Sequence, residues 1–316
     1  MHKPILRIDF ADFWNDFNKE HNFFHSILSK RFRLEISDNP DVLLYSCFGD
    51  KHLTYNCIRI FYTGENLPSN FNICDFSISF ERFHTPKQYY FPFYALRVIE
   101  EDKLNRLQHQ FSNKEALELW NQKTDFCCTV VSNPRGTARN LFFNKLNQVK
   151  RVNSGGRFEN NIGGPIEDKE KFCEKHKLTF AFENEEYPGY TTEKLTDAIL
   201  SRSIPIYFGD PLVHKVFNAN RFIHARDFTN HDELIKHLIE VSENQEKWIS
   251  YIAQPVFSSG LPEYLDIDNL LNFFDYCIEK AARTTPVAQT LKGRFTVFKI
   301  KGRRKLYRLK KRISKR

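Results

Sequence analysis

The segment Thr179-Phe180-Ala181-Phe182-Glu183-Asn184-Glu185-Glu186-Tyr187-Pro188-Gly189-Tyr190-Thr191-Thr192-Glu193-Lys194-Leu195, continuing through Ile204-Pro205-Ile206-Tyr207-Phe208-Gly209, admits few structures. Leu178 to Phe182 is an apolar, aromatic run of strand length. Tyr187-Pro188-Gly189 is turn chemistry, and Leu195, Ala198 and Ile199 then recur at spacings that build one helix face. Thr191 stands where a helix N-cap hydroxyl would, Glu193 falls in the first turn, and Ile204 to Phe208 is a second buried strand closed by Gly209-Asp210-Pro211. A strand, helix and strand so joined form a crossover in an open parallel sheet. The helix N-terminus then lies at the carboxyl edge of the strands, where α/β proteins collect ligands. Free backbone N–H groups and the helix dipole favour an anion there, and Lys194 adds a full positive charge.

The rest of the chain extends this α/β pattern over 316 residues, a length that suits two domains. Ile5 to Phe10 is a strand within a run that begins at Met1. Phe13, Phe17, Phe24, Ile27 and Leu28 mark a helix face, and a short strand follows around Leu34-Glu35-Ile36. Val42 to Phe48, Ile58 to Tyr62 and Asp75 to Phe80 are near-continuous apolar runs in the style of parallel strands covered on both faces. Val98 to Asp125 reads as a helical, charge-rich bridge with Leu104, Leu107, Phe111, Leu117 and Trp120 on its buried side. A second α/β domain opens with Phe126 to Val131, the loop Ser132-Asn133-Pro134-Arg135-Gly136, and a helix from about Thr137 to Asn147 whose inner face is Leu141, Phe142 and Leu146. Glycine loops at 154–157 and 163–165, a helix from Asp168 to His176, a short strand at Phe222-Ile223-His224, and helices near 232–244, 245–252 and 265–280 complete it. The expected organisation is an N-terminal domain with its bridging helix over 1–125, a C-terminal Rossmann-like domain over 126–282, and a tail over 283–316.

Charge is distributed unevenly. Of the 47 lysines and arginines, 15 lie beyond Glu279, where there is no Asp or Glu, so the body carries 32 basic against 39 acidic residues. In this tail Phe295, Phe298, Leu306, Leu309 and Ile313 fall at helical spacings among the cations, a pattern suited to an anionic membrane surface; Gly293 and Gly302 would weaken the helix. A solvated tail is the plain alternative, and nucleic acid is not the expected partner. No apolar run reaches bilayer length, and the N-terminus meets charge too early for a signal peptide, which points to the cytosol. Seven cysteines without a C-x-x-C pair fit reduced thiols better than disulfides or zinc. Phosphate-loop and nucleophile-elbow motifs are absent.

Candidate chemistry concentrates at three loops. Arg139 and Lys194 both open helices of the second domain, so two cations converge on one polyanion such as the diphosphate of a sugar nucleotide. Glu193 would be repelled by that diphosphate and suits a hydroxyl, as acidic residues bind ribose in dinucleotide folds. Tyr190 suits a phosphate or a base, and Asn184 a sugar or the backbone. In the first domain Thr63-Gly64-Glu65-Asn66 caps a strand, placing the Glu65 carboxylate where it could take a proton from an acceptor hydroxyl. His21 and His25 have metal spacing without a third ligand, and Asp266-Ile267-Asp268 reads as a helix start rather than a metal motif.

Those loops resemble the α-1,3/4-fucosyltransferases over roughly residues 5 to 280. Phe61-Tyr62-Thr63-Gly64-Glu65-Asn66 with Pro68, Asn70-Phe71-Asn72 and Cys74-Asp75-Phe76 is similar to the family's first-domain motif. Ser132-Asn133-Pro134 with Arg139-Asn140 is similar to the second, and the central crossover to the third. Thr191 replaces the usual Val, the usual arginines near Gln88 to Pro92 are missing, and the tail lacks clear heptads. The resemblance implies two facing Rossmann-like α/β domains of the GT-B kind with a basic amphipathic tail. It implies GDP-fucose as donor, inversion at the fucose anomeric carbon, no metal, and an oligosaccharide acceptor of lactosamine or lactose type such as a lipopolysaccharide O-antigen. By the same resemblance Glu65 is the catalytic base, Arg139 and Lys194 contact the diphosphate, Glu193 the ribose, and Asn184 and Tyr190 further parts of the donor. The protein would sit peripherally on the inner face of the cytoplasmic membrane. The readings set against it are a GT-B enzyme using another sugar nucleotide and a non-enzymatic, basic-tailed binding protein.

Overall fold

The computed structural model describes residues 3–313, with side chains described as far as Leu306. Met1 and His2 at the head of the expected first strand, and the Leu309 and Ile313 side chains of the expected tail stripe, lie outside the described part. The chain runs β1 (Ile5–Ala11), α1 (Phe23–Leu28), β2 (Arg33–Ile36), β3 (Val42–Tyr45), β4 (Ile58–Tyr62), β5 (Phe76–Ser79) and β6 (Gln88–Tyr90). It continues through α2 (Phe93–Glu100), α3 (Leu104–Gln108), α4 (Asn113–Gln122), β7 (Asp125–Thr129), α5 (Thr137–Val149), β8 (Val152–Ser154), α6 (Lys169–Glu174), β9 (His176–Phe182), α7 (Glu193–Leu200), β10 (Ile204–Phe208) and β11 (Ile223–His224). It closes with α8 (His231–Glu243), α9 (Gln245–Ile252), α10 (Ile267–Ala281) and α11 (Leu291–Ile313).

Two compact units result, and their limits differ from those expected: residues 1–91 with 266–316 form one, residues 92–265 the other. The first is a parallel sheet in the order β2-β1-β3-β4-β5-β6. One face is closed by α1 and α10, where Phe24 meets Tyr62 and Phe274 edge-on, and Phe273 and Tyr276 meet Phe76. The α10 helix therefore belongs to this sheet and not to the second. Its apolar stripe reads the same whichever sheet it covers, so spacing alone placed it wrongly. The left-handed backbone at Asp12 (φ 58°) ends β1 sharply, and Phe13 and Phe17 stack at 4.0 Å from a turn segment and not from a helix.

The tail docks on the first unit as α11. Val287 N donates to Asp75 Oδ1 at 2.7 Å, Gln289 Nε2 donates to the Asn56 carbonyl at 2.7 Å, and Arg304 pairs with Asp50 at 2.6 Å. A Cβ on Gly293 would lie 1.9 Å from the Val287 carbonyl oxygen, so this glycine permits a close approach that any side chain would block. Leu291, Phe295, Phe298 and Leu306 are exposed on the helix, Phe298 by 73%.

The second unit is a parallel sheet in the order β11-β10-β9-β7-β8. The helices expected as a bridge pack here: Ala116 and Leu119 of α4 are in the core, and Trp120 lies 5.8 Å from Trp248 of α9. On α5 the buried face is Phe142, Phe143 and Leu146, while Leu141 is 61% exposed. A step of 100° per residue carries Leu141 off the arc that 142, 143 and 146 share. Among the described residues no helix is long and apolar enough to cross a membrane.

Candidate active site

The crossover forms where expected, with β9, α7 and β10 in register from Ile204 beside Leu178 to Phe208 beside Phe182. Its helix is capped differently. The N-cap is Thr192, one residue later than expected, and neither threonine caps through its own side chain. Thr191 Oγ1 instead donates to Asp210 Oδ2 at 3.3 Å, and Asp210 also accepts Gly189 N at 2.7 Å, tying the 189–191 loop to the end of β10. The cap is Glu183, at the carboxyl end of β9. Its carboxylate is fully buried and accepts Thr192 N at 2.7 Å, Thr192 Oγ1 at 2.7 Å and Lys194 Nζ at 3.0 Å. A Cβ on Gly209 would sit 2.4 Å from Glu183 Cγ, so glycine on the neighbouring strand makes room for the buried acid.

Lys194 is thus not a free cation. Besides Glu183 it faces Glu193 Oε1 at 3.6 Å and donates to Thr192 Oγ1 at 2.9 Å. Burial pulls the Lys194 ammonium down, but the Glu183 and Glu193 carboxylates outweigh it and raise its pKa, so it stays protonated. Burial raises the Glu183 carboxyl against Lys194. In Glu193 burial is overcome by Lys194 and Lys169, and its carboxyl is held below the usual range.

Arg139, in the first turn of α5, is in the opposite situation. It is 2% exposed and its guanidinium meets only neutral oxygens: Asn140 Oδ1 at 3.2 Å, Asn184 Oδ1 at 3.0 Å and the Asn133 carbonyl. No carboxylate pairs with it among the described residues, and burial pulls its pKa down. The Asn184 bond links this guanidinium to the residue following Glu183, so Arg139, Asn184, Glu183, Glu193 and Lys194 gather along one carboxyl edge. Tyr190 is buried in the same loop, its N–H donating to the Tyr187 carbonyl at 3.0 Å. Residue reading missed Glu183 and Asp210. The signal was present: an acid directly after a buried strand, opposite Gly209.

In the first unit Glu65 projects from the loop after β4. Thr63 Oγ1 accepts Glu65 N at 3.0 Å and donates to its carbonyl at 3.1 Å, and the carboxylate itself is exposed. Asp266 accepts Asp268 N at 2.9 Å as the N-cap of α10, as read. His21 and His25 join no cluster of three metal-ligating side chains among the described residues.

Family models match both units: the α-(1,3)-fucosyltransferase FucT N-terminal domain over residues 8–97 and the glycosyltransferase family 10 (fucosyltransferase) C-terminal region over 120–254. The α-(1,3)-fucosyltransferase FucT of Helicobacter pylori is 33% identical, over 79% of this chain and 60% of its own length. The human 4-galactosyl-N-acetylglucosaminide 3-α-L-fucosyltransferase 9 is 30% identical over 45% of this chain and 40% of its own. The chain spans less than two thirds of the length of either relative. A crystal structure of an α1,3-fucosyltransferase with GDP-fucose superposes with a TM-score of 0.75 at 27% identity, over 88% of this chain and 92% of that one. Two parallel-sheet α/β units joined this way are the GT-B type of fold. With family models on both units and that superposition, the chain belongs to glycosyltransferase family 10, the fucosyltransferases.

Proposed function

We propose that this protein transfers L-fucose from GDP-fucose to the 3- or 4-hydroxyl of N-acetylglucosamine or glucose in a lactosamine- or lactose-type glycan, such as an O-antigen, by a single inverting displacement. The observation that carries the donor assignment is Arg139, a buried guanidinium beside a helix N-terminus with no carboxylate partner among the described residues. A diphosphate supplies the missing anion, and the guanidinium fork fits it. Lys194, held between Glu183 and Glu193, completes the diphosphate contacts; Glu193 takes the ribose hydroxyls, and Asn184 and Tyr190 hold further parts of the donor. The acceptor oxygen bonds to the fucose anomeric carbon as the bond from that carbon to the β-phosphate oxygen breaks. The hydroxyl proton passes to Glu65, and the charge grows on departing GDP, where fixed cations lower the barrier most.

The reaction needs no metal in this scheme, so activity persists in excess chelator. The α11 stripe of Leu291, Phe295, Phe298 and Leu306, set among lysines and arginines, holds the protein against the anionic inner face of the cytoplasmic membrane. Incubation with GDP-fucose and N-acetyllactosamine or lactose, with linkage determined by NMR, tests the central assignment. The expected product carries α-linked fucose at O3 or O4. Preferential turnover of another sugar nucleotide in a donor panel would replace it.

A further inference from the structure

The turn between β9 and α7 is held at both ends by buried acids. At the helix end Glu183 takes Thr192 N and Lys194 Nζ. At the other end stands Asp210, 1% exposed and two residues beyond β10, which reaches across to the turn. Its Oδ1 accepts Gly189 N at 2.7 Å and Leu212 N at 2.8 Å, and its Oδ2 accepts Thr191 Oγ1 at 3.3 Å. Asp210 is itself fixed, since its N–H donates at 2.9 Å to the phenol oxygen of Tyr207, a fully buried ring on β10. The carboxylate therefore straddles Tyr190, with one bond on the residue before it and one on the residue after.

The turn has little reason of its own to keep this shape. Gly189 is left-handed, with φ 87°, and a glycine left unrestrained samples both hands and loses much freedom on ordering. The backbone bonds within the turn, Tyr190 N to the Tyr187 carbonyl and Thr191 N to the Gly189 carbonyl, both 3.0 Å, span only two or three residues. We infer that Asp210 is a positioning residue for the donor: through Gly189 and Thr191 it fixes the turn that carries Tyr190 and leads into Glu193 and Lys194. GDP-fucose then meets a preformed loop and does not have to order one. The inference rests on the donor assignment above. Without Asp210 the affinity falls by the fraction of molecules in which the turn is formed. Glu183 still holds Lys194, so the loss appears in donor binding and spares the chemical step.

The test is calorimetric titration with GDP, kinetics with GDP-fucose and N-acetyllactosamine, and the thermal midpoint, for wild type, Asp210→Ala, Asp210→Asn and Thr191→Val. Asp210→Ala loses both bonds to the turn and should raise the GDP Kd and the donor KM by about tenfold, with kcat and the acceptor KM within twofold of wild type. In Asp210→Asn the Oδ1 still accepts Gly189 N and Leu212 N, and the amide donates to Thr191 Oγ1, so GDP affinity should return to within about threefold of wild type. Thr191→Val deletes one bond at nearly constant shape and should weaken GDP about threefold; this variant decides the matter should Asp210→Ala not fold, and an unchanged Kd in it then overturns the assignment. A merely structural acid would lower the thermal midpoint and leave the GDP Kd of folded Asp210→Ala within twofold of wild type. That result, a fall in kcat alone, or an equal loss in Asp210→Asn and Asp210→Ala overturns the positioning role while wild type still binds GDP. Wild type that does not bind GDP overturns the donor reading, and this assignment with it.

Discussion

Arg139 and Lys194 carry the same charge in different electrostatic settings, and the difference sets what each substitution does. Lys194 neutralises a fully buried carboxylate, so Lys194→Ala should cost about 3–5 kcal/mol of stability by leaving Glu183 unpaired, in addition to weakening GDP. The double change Lys194→Met with Glu183→Gln should restore the thermal midpoint without restoring GDP affinity, and calorimetry on both proteins separates the two effects. Arg139 pairs with no carboxylate among the described residues, so Arg139→Ala strands no buried charge; its stability cost is that of the lost hydrogen bonds and packing, while turnover should fall by about two to three decades. Glu65→Gln should abolish transfer, a loss of about two to four decades, with GDP affinity retained; near-full turnover would remove Glu65 from its role as base. That Arg139, Glu193 and Lys194 open helices was legible because helix starts can be read from spacing. Glu183 was not: it depends on the absence of a side chain at Gly209 across the sheet.

Among the elements, the crossover was legible nearly to the residue, since an apolar strand, a turn and a periodic helix leave little choice. Lys123, at the C-cap of α4, was not. Its ammonium donates to the Glu174 carbonyl at 2.7 Å and the Ser201 carbonyl at 3.3 Å, joining the C-terminal ends of α6 and α7. Helix dipoles favour a cation there, but burial dominates and lowers its pKa to about 7. The folded state then prefers the neutral amine and the unfolded chain holds the proton up to its ordinary value of 10.5. Stability is therefore least at and below pH 7 and rises as pH climbs from about 7 towards 10.5. Denaturant titrations of wild type and Lys123→Met across that range should show the rise in wild type only. The two glycines of α11 make a second contrast. Nothing surrounds a Cβ at Gly302, so Gly302→Ala should stabilise the helix by about 0.5–1 kcal/mol. Gly293→Ala meets the Val287 carbonyl and should loosen the tail, seen as faster proteolysis after residue 286.

For the whole molecule, reading in order gave the α/β class and two units but cut the chain in the wrong places. Sequence periodicity reports that a helix has an apolar face; it does not report which sheet the face covers. The α2 to α4 segment and α10 have such faces, and each packs on the unit that chain order alone did not suggest. The two plans predict different autonomous fragments. A chain of 126–282 would lack Ala116, Leu119 and Trp120 from its core and expose Leu270, Leu271 and Phe274 of α10. A chain of 92–265 keeps every helix that covers the second sheet together with Arg139, Glu183, Glu193 and Lys194. The 92–265 fragment should therefore unfold in one cooperative transition and bind GDP, while 126–282 should aggregate or show no transition. A cooperative 126–282 with GDP affinity equal to the full chain would restore the boundary at 125 and make α2 to α4 dispensable to the donor unit.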